Sequence, residues 1–215
     1  MFTLIIPTMW KSKIFHKSIM EYKKATNISE IIIINNDPNF NVPPYFKHKK
    51  IKILTQPENI YVNPAWNMGV DQSKNDYVVI ANDDVYIKKL GWTLNVLKKH
   101  FKKYDLLGFN INLSNKTKIV DIKNLSETKK RPHGFGTFMV LNKKNYVTIP
   151  NEIKIWYGDD IQYYSNKKRG MFAVPSVEME KSKTVKSLSN LNEIITKQDR
   201  PNYNKFIKDN NITLN

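Results

Sequence analysis

Apolar residues gather in short blocks along the first half of the chain, separated by stretches where they recur every three or four positions. Residues 2–6 (FTLII) form an apolar run stopped by Pro7, the pattern of a buried strand. Over 12–26 the apolar positions Ile14, Phe15, Ile19 and Tyr22 fall near helical spacing. The block 31–34 is isoleucine throughout and ends in Asn35-Asn36-Asp37-Pro38, a strong turn signal; 51–54 reads as a third strand. A helix is predicted from Asn63-Pro64, where Asn suits the cap and Pro the first helical position, running through Trp66 and Val70 towards Ser73. Residues 77–81 (YVVIA) make a fourth strand that ends at an acidic pair. An amphipathic helix with a basic outer face follows over 90–101, then a strand over 106–111.

This alternation predicts an α/β layer on a mostly parallel central sheet flanked by helices. Ligands of such sheets bind outside the carboxyl ends of the strands, and Pro7-Thr8, Asn36-Asp37 and Asp83-Asp84 all sit at such ends. The second half is less regular. Residues 112–131 are polar and lysine-rich, a hairpin or mobile loop over the site. Residues 135–141 read as a strand, 161–168 as a short helix, and the tail from Ser187 as a polar helix with frayed ends. No internal repeat or low-complexity linker divides the chain, so 1–215 is expected to be one domain.

Composition narrows the chemistry. With 40% hydrophobic and 12% aromatic residues the chain is not a disordered one, and no apolar run reaches the roughly 18–20 residues needed to span a bilayer. The apolar stretch at the N-terminus precedes its positive charge and is too short for a signal peptide, so a cytoplasmic protein starting near Met1 is expected. Cysteine is absent, which excludes disulfides, zinc–thiolate sites and thiol nucleophiles. His16, His48, His100 and His133 are scattered without metal-ligand spacing, which argues against a zinc enzyme. The net charge of +16 would attract nucleotides or an anionic membrane surface, leaving peripheral membrane contact open. Only Arg131, Arg169 and Arg200 are arginine, however, and nucleic-acid readers lean on arginine's bidentate geometry, so nucleic acid is disfavoured as a partner. Abundant Lys, Asn and Ile point instead to an AT-biased coding sequence.

Two adjacent carboxylates at the end of a buried strand are costly unless a positive partner offsets them. Mg²⁺ or Mn²⁺ is the natural one, because hard cations take oxygen ligands and bridge diphosphate oxygens. The bland reading of Asn82-Asp83-Asp84 is an ordinary strand-end turn. A second acidic pair, Asp159-Asp160, follows Trp156-Tyr157-Gly158, and its bland reading is a helix N-terminus with an acidic first turn.

Four motifs in order carry a resemblance: FTLIIPT at the first strand, EIIIINND at the second, ENIYVNPAWNMGV on a helix, and NDDV. Together they resemble GT-A glycosyltransferases, especially the large inverting family 2, over roughly 1–175. The resemblance implies a GT-A-like, Rossmann-like fold with a smaller acceptor-side β region. Residues 1–111 would then be the nucleotide-sugar-binding half, 112–186 the acceptor and catalytic half, and 187–215 a helical tail.

The resemblance implies a metal-dependent transfer from a nucleotide-diphosphate sugar to a hydroxyl of a glycan, lipid-linked or protein acceptor, with inversion. Pro7, Thr8, Asn36, Asp37, Trp66, Asn67, Asn82 and Asp83 become donor-site candidates, with Asp84 as the ligand of a divalent cation. Trp66 also reads as core, and Asn67 also as a cap. The segment IWYGDDIQYY resembles the stretch that bears the family's catalytic base, so Asp159 or Asp160 would take the acceptor's proton, with a lean to Asp160. Gly134 and Gly136 resemble its small-residue strand beneath the sugars, and Trp156 and Tyr157 are candidates to stack on a sugar face. The histidine that often completes the metal sphere is missing from VEMEKSKT, where Glu180 or Glu178 is the candidate substitute. A nucleotidyltransferase would carry a glycine-rich loop after the first strand, which PTMWKSK lacks. A non-catalytic basic module for nucleic acid or glycan is the rival from another class.

Overall fold

The computed structural model describes residues 1–181 and 189–212. Its elements are β1 (Phe2–Thr8), α1 (Ile14–Tyr22), β2 (Ile28–Asn35), β3 (Ile51–Thr55), α2 (Val62–Asp71), β4 (Tyr77–Ala81), β5 (Val85–Ile87) and α3 (Leu90–Lys98). There follow β6 (Leu106–Phe109), β7 (Asp121–Asn124), a 3-10 turn (Phe135–Thr137), β8 (Phe138–Asn142), α4 (Gly158–Ser165), β9 (Arg169–Ala173) and β10 (Val177–Met179). The chain closes with α5 (Leu191–Glu193), a π-helical stretch (Ile194–Asp199) and α6 (Arg200–Asp209).

Eight strands form one sheet in the order β3-β2-β1-β4-β8-β6-β9-β7, and β5 pairs with β10 in a separate antiparallel ribbon. β1 to β4, β6 and β9 run one way, while β7 and β8 run against them. The apolar runs are continuous because both faces of the sheet are covered. Leu4, Ile6, Ile31, Ile33 and Val79 point into one core with residues of α1 and α3. Their neighbours Ile5, Ile32, Ile34, Val78 and Ile80 point into the other, with residues of α2, α4 and α6. A period of two thus feeds two helical layers from one sheet.

Gly69 lets α2 lie directly on the sheet. A Cβ built there would sit 2.2 Å from the Ile5 side chain and 3.2 Å from that of Ile34.

Several predicted boundaries move, each for a local reason. Asn63 does not cap α2: it lies inside the helix, and the position before the helix is Tyr61, held at φ 67 without a side-chain cap. The predicted strand over 135–141 begins only at Phe138, because Gly134 adopts φ 76 and turns 135–137 out of the sheet. Within the lysine-rich stretch, β7 forms the sheet edge against β9. α4 starts at Gly158, so both of its aspartates lie in the first turn. The tail is a docked element, not a frayed one: Tyr203 and Ile207 are buried in the second core. Its expected start at Ser187 lies outside the described residues, as do 213–215 and positions 182–184 of VEMEKSKT.

A single added methyl tests the α2–sheet contact. Gly69→Ala is expected to cost about 1–3 kcal/mol, because Ile5 is locked in the sheet and cannot move aside. Chemical denaturation showing no loss of stability would refute that close approach.

Candidate active site

Three strand ends meet where β1, β2 and β4 stop. The Asn36 amide donates to the Thr8 carbonyl at 2.9 Å, continuing the β1–β2 ladder past its end. The Thr8 hydroxyl donates to Asp83 Oδ2 at 2.6 Å and accepts from the Trp10 amide at 2.8 Å. Trp10 Nε1 donates to Asn35 Oδ1 at 2.8 Å, and the same oxygen accepts the Asp37 amide at 2.9 Å. Asn35, Asn36 and Asp37 therefore form one hydrogen-bonded corner beside Asp83. Asn35 was not singled out as a site residue, because its role depends on Trp10, 25 positions away. Asn36 donates to the Tyr61 carbonyl, while its Oδ1 is buried without a partner among the described residues. Pro7 stands in β1 opposite Ile34, at the same rim.

The Asp83 and Asp84 carboxyls lie half-sunk in this rim, and neither forms an ion pair with a described residue. Burial pushes Asp83 up to about 7, against the Thr8 hydrogen bond, and Asp84 up to about 6. Glu180 adds to both shifts by like-charge repulsion. The β5–β10 ribbon brings it there: the Glu180 amide donates to the Asp84 carbonyl at 3.0 Å, and its carboxylate accepts from the Ser12 hydroxyl and the Lys13 amide. Glu178, the other candidate, faces outward and pairs with Lys17 and Lys88.

Among the described residues no group of three or more His, Cys, Asp or Glu is gathered closely enough to hold a metal ion alone. The donor set at the rim is oxygen only, two carboxyls destabilised by burial with a third acid beside them. That chemistry fits a hard divalent cation that shares its coordination with substrate oxygens and water.

The second acidic pair opens α4. Arg131, at the end of the lysine-rich stretch, grips both members: its Nε donates to Asp160 Oδ1 at 2.6 Å, and Nη1 lies 2.8 Å from Asp159 Oδ2. The three side chains are 19%, 18% and 22% exposed, which strengthens the pairing relative to a surface bridge. Burial still raises the Asp159 carboxyl to about 6, with Arg131 opposing the rise. Arg131 was missed in the sequence, where the one signal was its rarity. All three arginines converge on α4: Arg169 donates to the carbonyls of Tyr163 and Asn166 and stacks on the Tyr163 ring, and Arg200 donates to the Tyr157 hydroxyl.

One turn joins the two acidic pairs. The Asn82 amide donates to the Thr137 carbonyl at 3.0 Å. A Cβ on the neighbouring Gly136 would stand 2.4 Å from the Asp159 side chain. Gly136 is thus the floor under Asp159, while Gly134 supplies the positive φ that starts the turn. Trp156 is 47% exposed beside this helix, whereas Tyr157 stacks on Tyr203 at 4.5 Å.

Two donor-site candidates lie elsewhere. Trp66 is buried in the second core, with its Nε1 unpartnered among the described residues. Asn67 neither faces the rim nor caps a helix: it donates to the Ile149 carbonyl and accepts from Tyr146 Oη and the Ile149 amide, bracing the chain before α4.

A family profile described as glycosyl transferase family 2 matches residues 3–164, the span that contains both acidic pairs. The chain belongs to glycosyl transferase family 2. Solved structures agree on the fold. S. aureus TarS 1–349 superposes with a TM-score of 0.58 at 14% identity, over 80% of this chain and 60% of that one. Its complex with UDP-GlcNAc gives 0.59 at 12%, over 90% and 64%. HddC from Yersinia pseudotuberculosis gives 0.55 at 12%, over 82% and 92%. The family 2 chain therefore spans about three-fifths of the TarS fragment. A search of curated proteins by sequence returned no match.

Two substitutions probe this geometry. An acid whose folded value is raised holds its proton more tightly folded than unfolded, so ligand-free protein loses stability at Asp83 as pH climbs from 3.8 to about 7. The melting temperature of Asp83→Asn relative to wild type should therefore rise across that window, by the equivalent of about 4 kcal/mol. A difference that stays flat from pH 5 to pH 8 would contradict the burial argument. Gly136→Ala should leave the protein folded but displace Asp159, which a crystal structure of the variant would reveal.

Proposed function

We propose that this family 2 chain is a glycosyltransferase that moves a sugar from a nucleotide-diphosphate donor to an acceptor hydroxyl, with inversion. The observation that carries the reading is the shared turn at Gly136-Thr137, with a metal-type acidic pair on one side and an arginine-held acidic pair on the other. The donor half fits the corner formed by Thr8, Asn36, Asp37 and Asp83, whose polar groups gather outside the strand ends. Asn82 fixes its backbone against Thr137 and aims the two aspartates into the rim.

A divalent cation, Mn²⁺ or Mg²⁺, would be held by Asp84 and Asp83 with Glu180 beside them, and when bound it neutralises the leaving diphosphate. Asp160, or its neighbour Asp159, accepts the proton of the attacking hydroxyl. Arg131 opposes the burial that would otherwise keep Asp159 protonated, which makes that carboxyl easier to ionise. The acceptor oxygen attacks the anomeric carbon from the face opposite the nucleoside diphosphate, its new bond forming as the sugar–phosphate bond breaks, and this single displacement gives inversion. Trp156, exposed next to α4, offers an aromatic face for the acceptor.

The TarS complexes contain UDP and UDP-GlcNAc, which makes a uridine diphosphate sugar the first donor to test. The acceptor is a glycan, a lipid-linked sugar or a protein. No helix among the described residues is long and apolar enough to cross a membrane, so contact with a lipid-linked acceptor would be peripheral.

A thermal-shift screen of nucleotide sugars with and without Mn²⁺ is the direct test. Metal-dependent stabilisation should be seen in the wild type and vanish in Asp84→Ala. Asp160→Asn should keep donor binding but lower kcat on the order of a hundredfold or more. Stabilisation by no nucleotide sugar, with or without metal, would sink the reading.

A further inference from the structure

We propose that Asp199 is a positioning residue: its buried carboxylate, delivered by the C-terminal segment, holds the chain leading into the Asp159-Asp160 helix in its working conformation. The inference rests on the proposed function, in which that acidic pair takes the acceptor's proton.

Asp199 is fully buried, and its carboxylate faces three successive backbone amides. Oδ1 accepts from Lys154 at 2.6 Å, and Oδ2 accepts from Ile155 and Trp156, each at 2.9 Å. Such a run of amides is an anion nest, and charge-assisted bonds of this kind are about twice as strong as neutral ones. Asp199 immediately precedes α6, yet its side chain does not cap that helix. It ends a π-helical stretch, a wide and rarely used turn that recurs at functional sites. Asp199 lies where the π-helical stretch runs directly into α6, and its carboxylate serves a segment 43 to 45 residues earlier.

The same segment is held from its other side. The Asn63 amide of α2 donates to the Lys154 carbonyl at 3.0 Å, and its side chain donates to the Trp156 carbonyl at 3.0 Å. Amides thus point to the C-terminal segment and carbonyls to α2. One residue on, Tyr157 is kept at φ 66, stacked on Tyr203 at an interplanar angle of 15° and hydrogen-bonded by Arg200. A positive φ at a tyrosine is strained and persists only where its surroundings impose it. That strained residue stands directly before Gly158, Asp159 and Asp160.

The C-terminal segment lies beyond the span matched by the family profile, and among the described residues its side-chain hydrogen bonds to the rest of the chain fall on residues 154–157. Misplacing a reacting group by about 1 Å can cost on the order of a hundredfold in rate. Loss of the nest therefore acts on turnover and leaves the donor corner, on β1, β2 and β4, alone.

The test uses Asp199→Asn in the full chain, with the nucleotide sugar that stabilises the wild-type protein as donor. Hydrogen exchange should quicken at the amides of 154–156 while 77–81 keep their protection. Donor affinity should stay within about twofold, kcat for nucleoside-diphosphate release should fall on the order of a hundredfold, and the acid limb of the kcat–pH profile should move. Should Asp199→Asn not fold, Tyr203→Leu keeps an apolar side chain, removes the stack on Tyr157 and should lower kcat severalfold at unchanged donor affinity. An active wild type whose kcat survives both substitutions, or loses kcat and donor affinity in step, overturns the positioning role. A wild type that releases no nucleoside diphosphate from any donor overturns the transferase reading instead, and the positioning role with it.

Discussion

The hydrogen bond from the Asn82 amide to the Thr137 carbonyl closes the gap between the end of β4 and the turn entering β8, and the site is built around it. On one side it sets Asp83 and Asp84 at the rim of the sheet. On the other it fixes Gly136, whose missing side chain leaves the space Asp159 fills. Acidic groups from positions 83, 84, 159, 160 and 180 come to one region of a chain with 35 basic residues and 19 acidic ones. Collecting like charge in a partly buried place opposes folding unless each charge finds a partner or a proton.

The two pairs meet that constraint differently. Asp159 and Asp160 are balanced by the protein itself, through Arg131. Asp83 and Asp84 form no ion pair with a described residue, and burial leaves both with raised proton affinity. The distribution of basic residues follows from this division. Lysines mostly line the surface, where a flexible ammonium stays hydrated, whereas all three arginines pack around α4. There a planar fork can hold two carboxylates, brace a helix end or reach a tyrosine hydroxyl.

Much of the fold was legible because its signals are local. The apolar blocks at β1, β2 and β4 marked buried strands within two or three residues of their observed bounds, and the turn residues after them marked the crevice. Boundaries failed where a distant partner overruled local preference. Asn63 was read as a cap because Asn before Pro favours one; in the structure its side chain serves Trp156, 93 positions away. Asn67 looked like a donor contact and instead braces the chain at Ile149. The tail looked polar because its buried positions are few: Tyr203 and Ile207 reach the core, and Asp199 is hidden by the amides it holds.

By itself the sequence determined the layered α/β architecture, the rim of strand ends and the identity of both acidic pairs, because hydrophobic periodicity and turn chemistry act within a few residues. Only the tertiary structure decided which carboxylates are balanced and which are not, that Glu180 rather than Glu178 stands beside Asp84, and that Arg131 and Asp199 serve α4. Those partners lie 28 to 96 residues apart, as in Arg131–Asp159 and the Glu180 amide on Asp84. No pattern of local spacing encodes such meetings. They follow from strand order and crossover, which bring the ends of β4 and β10 and the starts of β8 and α4 to one place.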